Sequence, residues 1–464
     1  MSGTPVISVP QMRRWEKASW AAGAKEAEVI ARVGRCLAQR LMQLTRPGDT
    51  ILLLAGAGHN GDDVRAAIPH LKERNARLIN VNDPRRRVDF QNAAWIVDGL
   101  FGIGLNRPLD AHWQKLIRSI NEAGIPVLSV DTPSGLNVAN GKIEGAAVQA
   151  AVTLTVGAPK AALIGQPQVG RLEVAAEVGL IPCTYKTPWR WTLPEDFAGL
   201  PPKRAPESNK GTYGHAAIIA GSLGYHGAAV LSSHGALRAQ PGLVSIFPQP
   251  EVYAAVAAQS QAAMVHPWRP EIELPKSTSA VLIGSGLAAA DLPEALNEQA
   301  AALWKSSPLA VVADASALPW LKRGSTRHGA VRVITPHPGE AGRLLDSSAA
   351  EVQRDRPAAL RALSRLLGGC LVVLKGHQTL VGRATGPIFI NSSGNPFLAQ
   401  GGSGDLLGGY ITGLLAQPAW QTDALETVRY AVWQHGAAAD LLAASRPNWT
   451  VEDLSAQLGM VKVG

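Results

Sequence analysis

Short apolar runs alternate along this chain with longer stretches of helical period, and the alternation occurs twice. The first fifty residues are rich in Ala, Leu, Glu, Lys and Arg with few breakers, which predicts helix. Apolar runs follow at 51–56 (ILLLAG), 95–102 (WIVDGLFG), 126–131 (PVLSVD) and 151–157 (AVTLTVG). Runs this short, bounded by turn residues and separated by helical stretches, predict parallel strands. Residues 182–210 then hold six prolines and little periodicity, as a linker does. The rhythm restarts with runs at 215–221, 243–247, 280–284, 309–314, 330–336, 370–376 and 380–390. The expected fold class is α/β in two domains, 1–195 and 205–464, since 464 residues exceed one ordinary core.

Candidate chemistry collects where those runs end. Gly401, Gly402 and Gly404 precede Leu407, Ile411, Leu414 and Leu415, which fall at a helical period. A glycine loop at a helix N-terminus turns free amides toward an anion such as a phosphate. Asp405 in that loop would repel an anion. It suits either a base beside a phosphoryl group or a plain helix cap. Gly284-Ser285-Gly286, Asp314, Pro336-His337-Pro338-Gly339-Glu340 and Lys375–Thr379 end neighbouring runs. Ligands of open α/β sheets sit at such carboxyl ends. In the first half, Gly56–Asp63, Asp98–Pro108 and Asp131–Asn137 occupy equivalent places. Their glycines lack the spacing of a dinucleotide fingerprint or a P-loop.

Charge and cysteine content narrow the setting. The formal charge of +8 and pI near 9.5 suit an anionic partner. The basic residues are scattered, with one tight cluster at Arg85-Arg86-Arg87, and no nucleic-acid motif accompanies it. Nucleic acid is therefore not an expected partner. Cys36, Cys183 and Cys370 are far apart and read as thiols in a reducing cytoplasm. No apolar run reaches the ~18 residues of a membrane span, and the start lacks the apolar core of a signal peptide.

The first-half segments resemble the NAD(P)H-hydrate epimerases, whose loops run close to GNNGGDG, DxxFGTGLxRP and VDxPSG; Pro159-Lys160 also fits that family. The resemblance implies a Rossmann-like three-layer sandwich. It implies a potassium ion (K+) among Asn60, Asp98 and Ser134, and oxygen ligands suit a hard monovalent cation. The hydrated nicotinamide would lie against His59, Asn60, Gly61, Asp62 and Asp63, the loop Gly102, Ile103, Gly104, Leu105, Asn106, Arg107 and Pro108, and Asp131. Asp131 would be the acid–base group that interconverts R and S hydrates at C6. His59, Asp62 and Val64 depart from the family loop, and Asp62 adds a carboxylate to it.

The second half resembles the ribokinase-like superfamily and, within it, the ADP- or ATP-dependent NAD(P)H-hydrate dehydratases. Their motifs run close to KGxxGH, GGSxGYxGA, GPGLG, PHPGE, KGxxT and GNPGMATGGMGD, in the order found here. Ser285, Phe397 and Ser403 depart from that pattern. The resemblance implies ADP as co-substrate with Mg2+. Lys375, Gly376, His377, Gln378, Thr379, Gly401, Gly402 and Gly404 would hold the nucleotide, and Gly286 and His337 the hydrated cofactor. Asp405 would be the base. The implied function is repair of hydrated NADH and NADPH: epimerisation in the first domain, ADP-dependent dehydration with release of AMP and phosphate in the second. The rival expectation is a small-molecule kinase joined to a binding or scaffolding domain. The expected partners are these small molecules, with no membrane, and the expected assembly is a homo-oligomer.

Overall fold

A computed structural model describes residues 3–327 and 329–463. The chain divides into two compact units, Thr4–Thr187 and one that starts at Pro188.

In the first unit a six-stranded sheet runs, edge to edge, Asn75–Asn80, Thr50–Ala55, Ala93–Gly99, Val127–Val130, Val152–Val156 and Arg171–Ala175. Every pairing in it is parallel. Successive side chains of a strand point to opposite faces, so each strand feeds two cores. Ile51, Leu53, Val97 and Leu128 pack with Val33, Leu37 and Leu41 of the helix Glu26–Leu44. Leu52, Leu54, Ile96 and Val127 pack with Leu116, Ile117 and Ile120 of Ala111–Glu122. Three layers result. The two edge strands were not legible as apolar runs, because edges stay half solvated: Asn75–Asn80 has no buried residue.

The second unit's sheet runs Trp189–Trp191, Ile388–Ile390, Leu380–Gly382, Leu371–Leu374, Arg332–Ile334, Ala310–Ala313, Ala280–Ile283, His215–Ile219, Leu243–Phe247 and Met264–Val265. Two expectations change here. The apolar run at 380–390 is two strands, and Leu380–Gly382 is antiparallel to both its neighbours. The proline-rich stretch expected as linker contributes the strand Trp189–Trp191, parallel to Ile388–Ile390. Trp191 is 1% exposed, so burial of a large ring outweighs the local preference for coil.

The helix Ser403–Leu415 lies across this sheet, pressed against His226–Arg238. A Cβ at Gly409 would come within 1.9 Å of the Ser232 carbonyl oxygen, and one at Gly235 within 2.1 Å of that of Leu406. Glycine at these contacts lets the backbones meet, and the contact fixes where the helix begins.

Candidate active sites

In the second unit, four strands end side by side and deliver Gly284–Gly286, Asp314, Thr335–Glu340 and Lys375–Thr379 to one edge. Lys375 Nζ donates to Asp314 Oδ1 at 3.0 Å and lies 3.9 Å from Glu340 Oε2. Thr335 Oγ1 donates to the same Asp314 oxygen at 2.6 Å. Burial opposes the Lys375 charge, but Asp314 and Glu340 hold its pKa above the ordinary value. Gly402, at φ +91°, turns the chain into the helix. A Cβ at Gly404 would sit 3.3 Å from Lys375 Nζ and 4.0 Å from Asp314 Oδ2. The glycine loop, the ammonium and the carboxylate thus share one crevice.

Asp405 occupies the first turn of that helix, partly buried. Burial and then the charge of Asp314 push its carboxyl up to about 7, against the opposing pull of Lys375 and Ser285. A carboxyl at that value is half ionised near neutrality, as a general base requires. Beneath the loop, buried His435 sets Nε2 3.1 Å from the Ser403 carbonyl oxygen, and burial lowers its pKa to about 4. His337 caps the helix Pro338–Leu344, its Nδ1 accepting from Gly339 N at 3.0 Å. Gly286, at φ +63°, lies so close to Tyr225 that a Cβ would be 2.8 Å from the Tyr225 carbonyl oxygen.

Arg356 was missed by the sequence reading. Its guanidinium donates to the carbonyls of Leu374 (3.0 Å), Lys375 (3.4 Å), Gln378 (3.4 Å) and His377. It stitches the Lys375–Thr379 loop to the helix Arg356–Leu366. Burial lowers its pKa to about 10. Its acceptors are all main-chain oxygens, so no side-chain pattern could have announced it.

In the first unit a cavity of about 720 Å³ is lined by His59, Asn60, Asp63, Gly102–Arg107 and Asp131, together with Glu16, Trp20 and Trp113. Gly61, Asp62 and Pro108 lie outside this lining. Asp62 pairs instead with Arg65 at 2.9 Å, and the same guanidinium donates to the Gly56 carbonyl at 2.7 Å. The added carboxylate is therefore turned away and matched by a cation. A Cβ at Gly61 would come within 2.0 Å of the Gly56 oxygen, and one at Gly56 within 2.2 Å of the Leu100 oxygen. His59 faces Glu26 at 3.3 Å, both exposed.

Asp131 ends its strand at φ +62°, an uncommon conformation for a residue with a side chain. Lys160 Nζ donates to its Oδ1 at 2.6 Å, and Thr155 Oγ1 and Val156 N donate at 3.1 Å. Both partners of the ion pair are buried. Asp63 is 7% exposed, and burial, then Asp131 and Asp62, push its carboxyl up to about 8. Asp98 is fully buried and takes four donors: Leu100 N, Ser129 Oγ, Ser134 N and Ser134 Oγ. Asn60 donates to the Phe101 and Val130 carbonyls at 2.9 and 2.7 Å. Ser134 Oγ accepts from Phe101 N at 2.9 Å, so Asn60, Asp98 and Ser134 share one oxygen-rich knot.

Two family profiles match the chain: NAD(P)H-hydrate dehydratase over residues 216–459, and the YjeF-related protein N-terminus over 77–162. The bifunctional NAD(P)H-hydrate repair enzyme of Coxiella burnetii is 32% identical, covering 93% of this chain and 94% of that protein. That of Gloeobacter violaceus is 32% identical, covering 98% and 97%. Among solved structures, the ADP/ATP-dependent NAD(P)H-hydrate dehydratase of Bacillus subtilis, co-crystallised with ATP and Mg2+, is 30% identical with a TM-score of 0.51. That similarity covers 58% of this chain and 95% of the Bacillus chain. A ribokinase-like protein of Enterococcus faecalis is 25% identical, also at 0.51, over 60% and 97%. The dehydratase match displaces the small-molecule kinase expectation. The chain belongs to the bifunctional NAD(P)H-hydrate repair enzymes, with a dehydratase unit of ribokinase-like fold following an epimerase-type unit.

Proposed function

We propose that Asp405 is the base of the dehydration and that the crevice around it holds ADP and the S-hydrate together. Asp405 accepts the proton of the C6 hydroxyl. The freed oxygen attacks the terminal phosphorus of ADP, and the bond from that phosphorus to the AMP oxygen breaks. The amides of Gly402–Gly404 and the ammonium of Lys375 stabilise the charge that develops on the phosphoryl oxygens. The C6–O bond then breaks with release of phosphate, and loss of a proton from C5 restores the C5=C6 double bond. Lys375–Thr379 hold the nucleotide, and Gly286 and His337 flank the hydrated ring. Magnesium neutralises phosphate charge when bound, and Asp314 and Glu340, the carboxylates beside Lys375, are the residues that would hold it.

In the first unit, Asp131 serves the interconversion of R and S hydrates. The donor set around Asp98 fits a potassium ion: a buried carboxylate with no basic partner among the described residues, a hydroxyl and two main-chain carbonyls. Such an ion, held by Asn60, Asp98 and Ser134, would balance the Asp98 charge. The two units thus supply one repair, in which the first converts the hydrate the second cannot use.

The observation that carries the dehydratase reading is Asp405 at a glycine-loop helix start, raised to about 7 beside Lys375. The full chain, given S-hydrate and ADP, is expected to release phosphate and dihydronicotinamide in equal amounts. Accumulation of a stable phosphorylated hydrate would overturn it.

A further inference from the structure

The first unit's cavity is lined by a second carboxyl, that of Asp63, besides Asp131. Asp63 is more than nine-tenths buried and lines the cavity, and its carboxyl has no hydrogen-bond or ion-pair partner among the described residues. A carboxyl that no protein group engages and that opens on a cavity meets whatever the cavity holds. Its position is also informative. Asp63 rises from the helix His59–Ala67 that follows the strand Thr50–Ala55, while Asp131 ends Val127–Val130. One strand, Ala93–Gly99, separates those two in the sheet. The ends of those two strands are therefore two strand spacings apart, and both Asp63 and Asp131 line the cavity that opens beyond them. Inverting glycosidases set an acid and a base on opposite faces of a sugar carbon that bears a leaving oxygen. C6 of the hydrate is a comparable centre, bonded to a hydroxyl and to a ring atom with a lone pair.

We propose that Asp63 is a catalytic acid of the first unit, protonating the departing C6 hydroxyl while Asp131 takes a proton from water on the opposite face. This rests on the epimerase reading of that unit. The C6–O bond breaks and its electron pair leaves with the protonated oxygen as water. The N1 lone pair forms an N1=C6 double bond, so C6 becomes planar. A water then adds to the other face and gives its proton to Asp131. One C–O bond is broken and one formed, and one proton has moved from Asp63 to Asp131. The reverse inversion, or exchange with solvent, returns it. Beyond burial, the charges of Asp131, Asp62 and Glu16 oppose the ionisation of Asp63 and that of Lys160 favours it. Lys160 is itself tied to Asp131, the carboxyl that must accept the proton.

The test uses the full chain and R-hydrate without ADP, so that the second unit is idle, and follows conversion to the S-hydrate by chromatography. Asp63→Asn is expected to lower kcat at least about a hundredfold, the usual worth of a general acid, with KM changed less than about threefold. In water enriched in oxygen-18, the wild-type product is expected to carry one solvent oxygen per inversion. If the wild-type chain fails to accelerate conversion, both the epimerase reading and this proposal fall. If it accelerates and Asp63→Asn keeps its kcat, or the original oxygen is retained, the proposal alone is overturned. If the variant does not fold, the alkaline limb of the wild-type pH profile decides: an acid held up to about 8 makes kcat fall above that pH, and a rate flat to about pH 9.5 overturns the proposal.

Discussion

Asp405→Asn separates the chemistry of the second unit from its stability. In the folded chain the Asp405 carboxyl stands at about 7, raised by burial and by Asp314. An ordinary aspartate titrates near 3.9, so holding the ionised form in this crevice costs about 4 kcal/mol. Asp405 is partly exposed, and halving that figure for solvent screening leaves about 2 kcal/mol. The sign follows from the raised value. Stability is fully present below the unfolded pKa near 4 and is lost as pH rises through about 7. An amide cannot ionise, so the variant keeps what the wild type gives up. At pH 4 the two should unfold alike; at pH 8 the variant should be more stable by about 2 kcal/mol, or several degrees in Tm. Its dehydration rate should fall by about a hundredfold to ten-thousandfold. Urea titration at both pH values and phosphate release under saturating ADP measure the two effects. Equal stability at both pH values, with wild-type turnover falling only below pH 5, would show that the carboxyl is not raised and would refute the reasoning.

Lys375→Met should move the acid limb of the dehydration profile to higher pH, because Lys375 pulls the Asp405 value down; a pH–rate series reads the shift. Arg356→Ala removes the donor shared by the carbonyls of Leu374, Lys375, His377 and Gln378 and should raise the nucleotide KM while changing kcat little. Free guanidinium should restore part of the loss in the same steady-state assay. Asp62→Gly should leave R-to-S conversion within about twofold and cost less than about 1 kcal/mol, since it removes only a half-exposed ion pair with Arg65. A large loss of epimerisation would place Asp62 in the cavity after all.

The central strands of both sheets were legible because a strand buried on both faces is apolar throughout, as TILLLA at 50–55 is. Asn75–Asn80 was not, because an edge strand keeps polar side chains in water. Trp189–Trp191 hid among prolines, where local composition speaks for coil and only a distant partner, Ile388–Ile390, decides otherwise. The glycine loop at 401–404 was readable from residue types alone, since φ +91° at Gly402 demands glycine. The isolation of Asp63 and the pairing of Asp62 with Arg65 were not. Asp62 and Asp63 are adjacent acids in one helix, and only the fold tells which faces the cavity. Arg356 shows the remaining gap: a charge satisfied wholly by main-chain oxygens leaves no trace in side-chain pattern.

The clearances at Gly56 and Gly61 also bear on how this loop can change over evolutionary time. Those two positions admit no side chain, because a Cβ there would collide with a carbonyl oxygen, that of Leu100 for Gly56 and that of Gly56 for Gly61. Position 62 opens outward, where its side chain meets Arg65. The loop therefore has fixed letters and free letters. Drift at the free ones changes the spelling of the motif and leaves its shape intact.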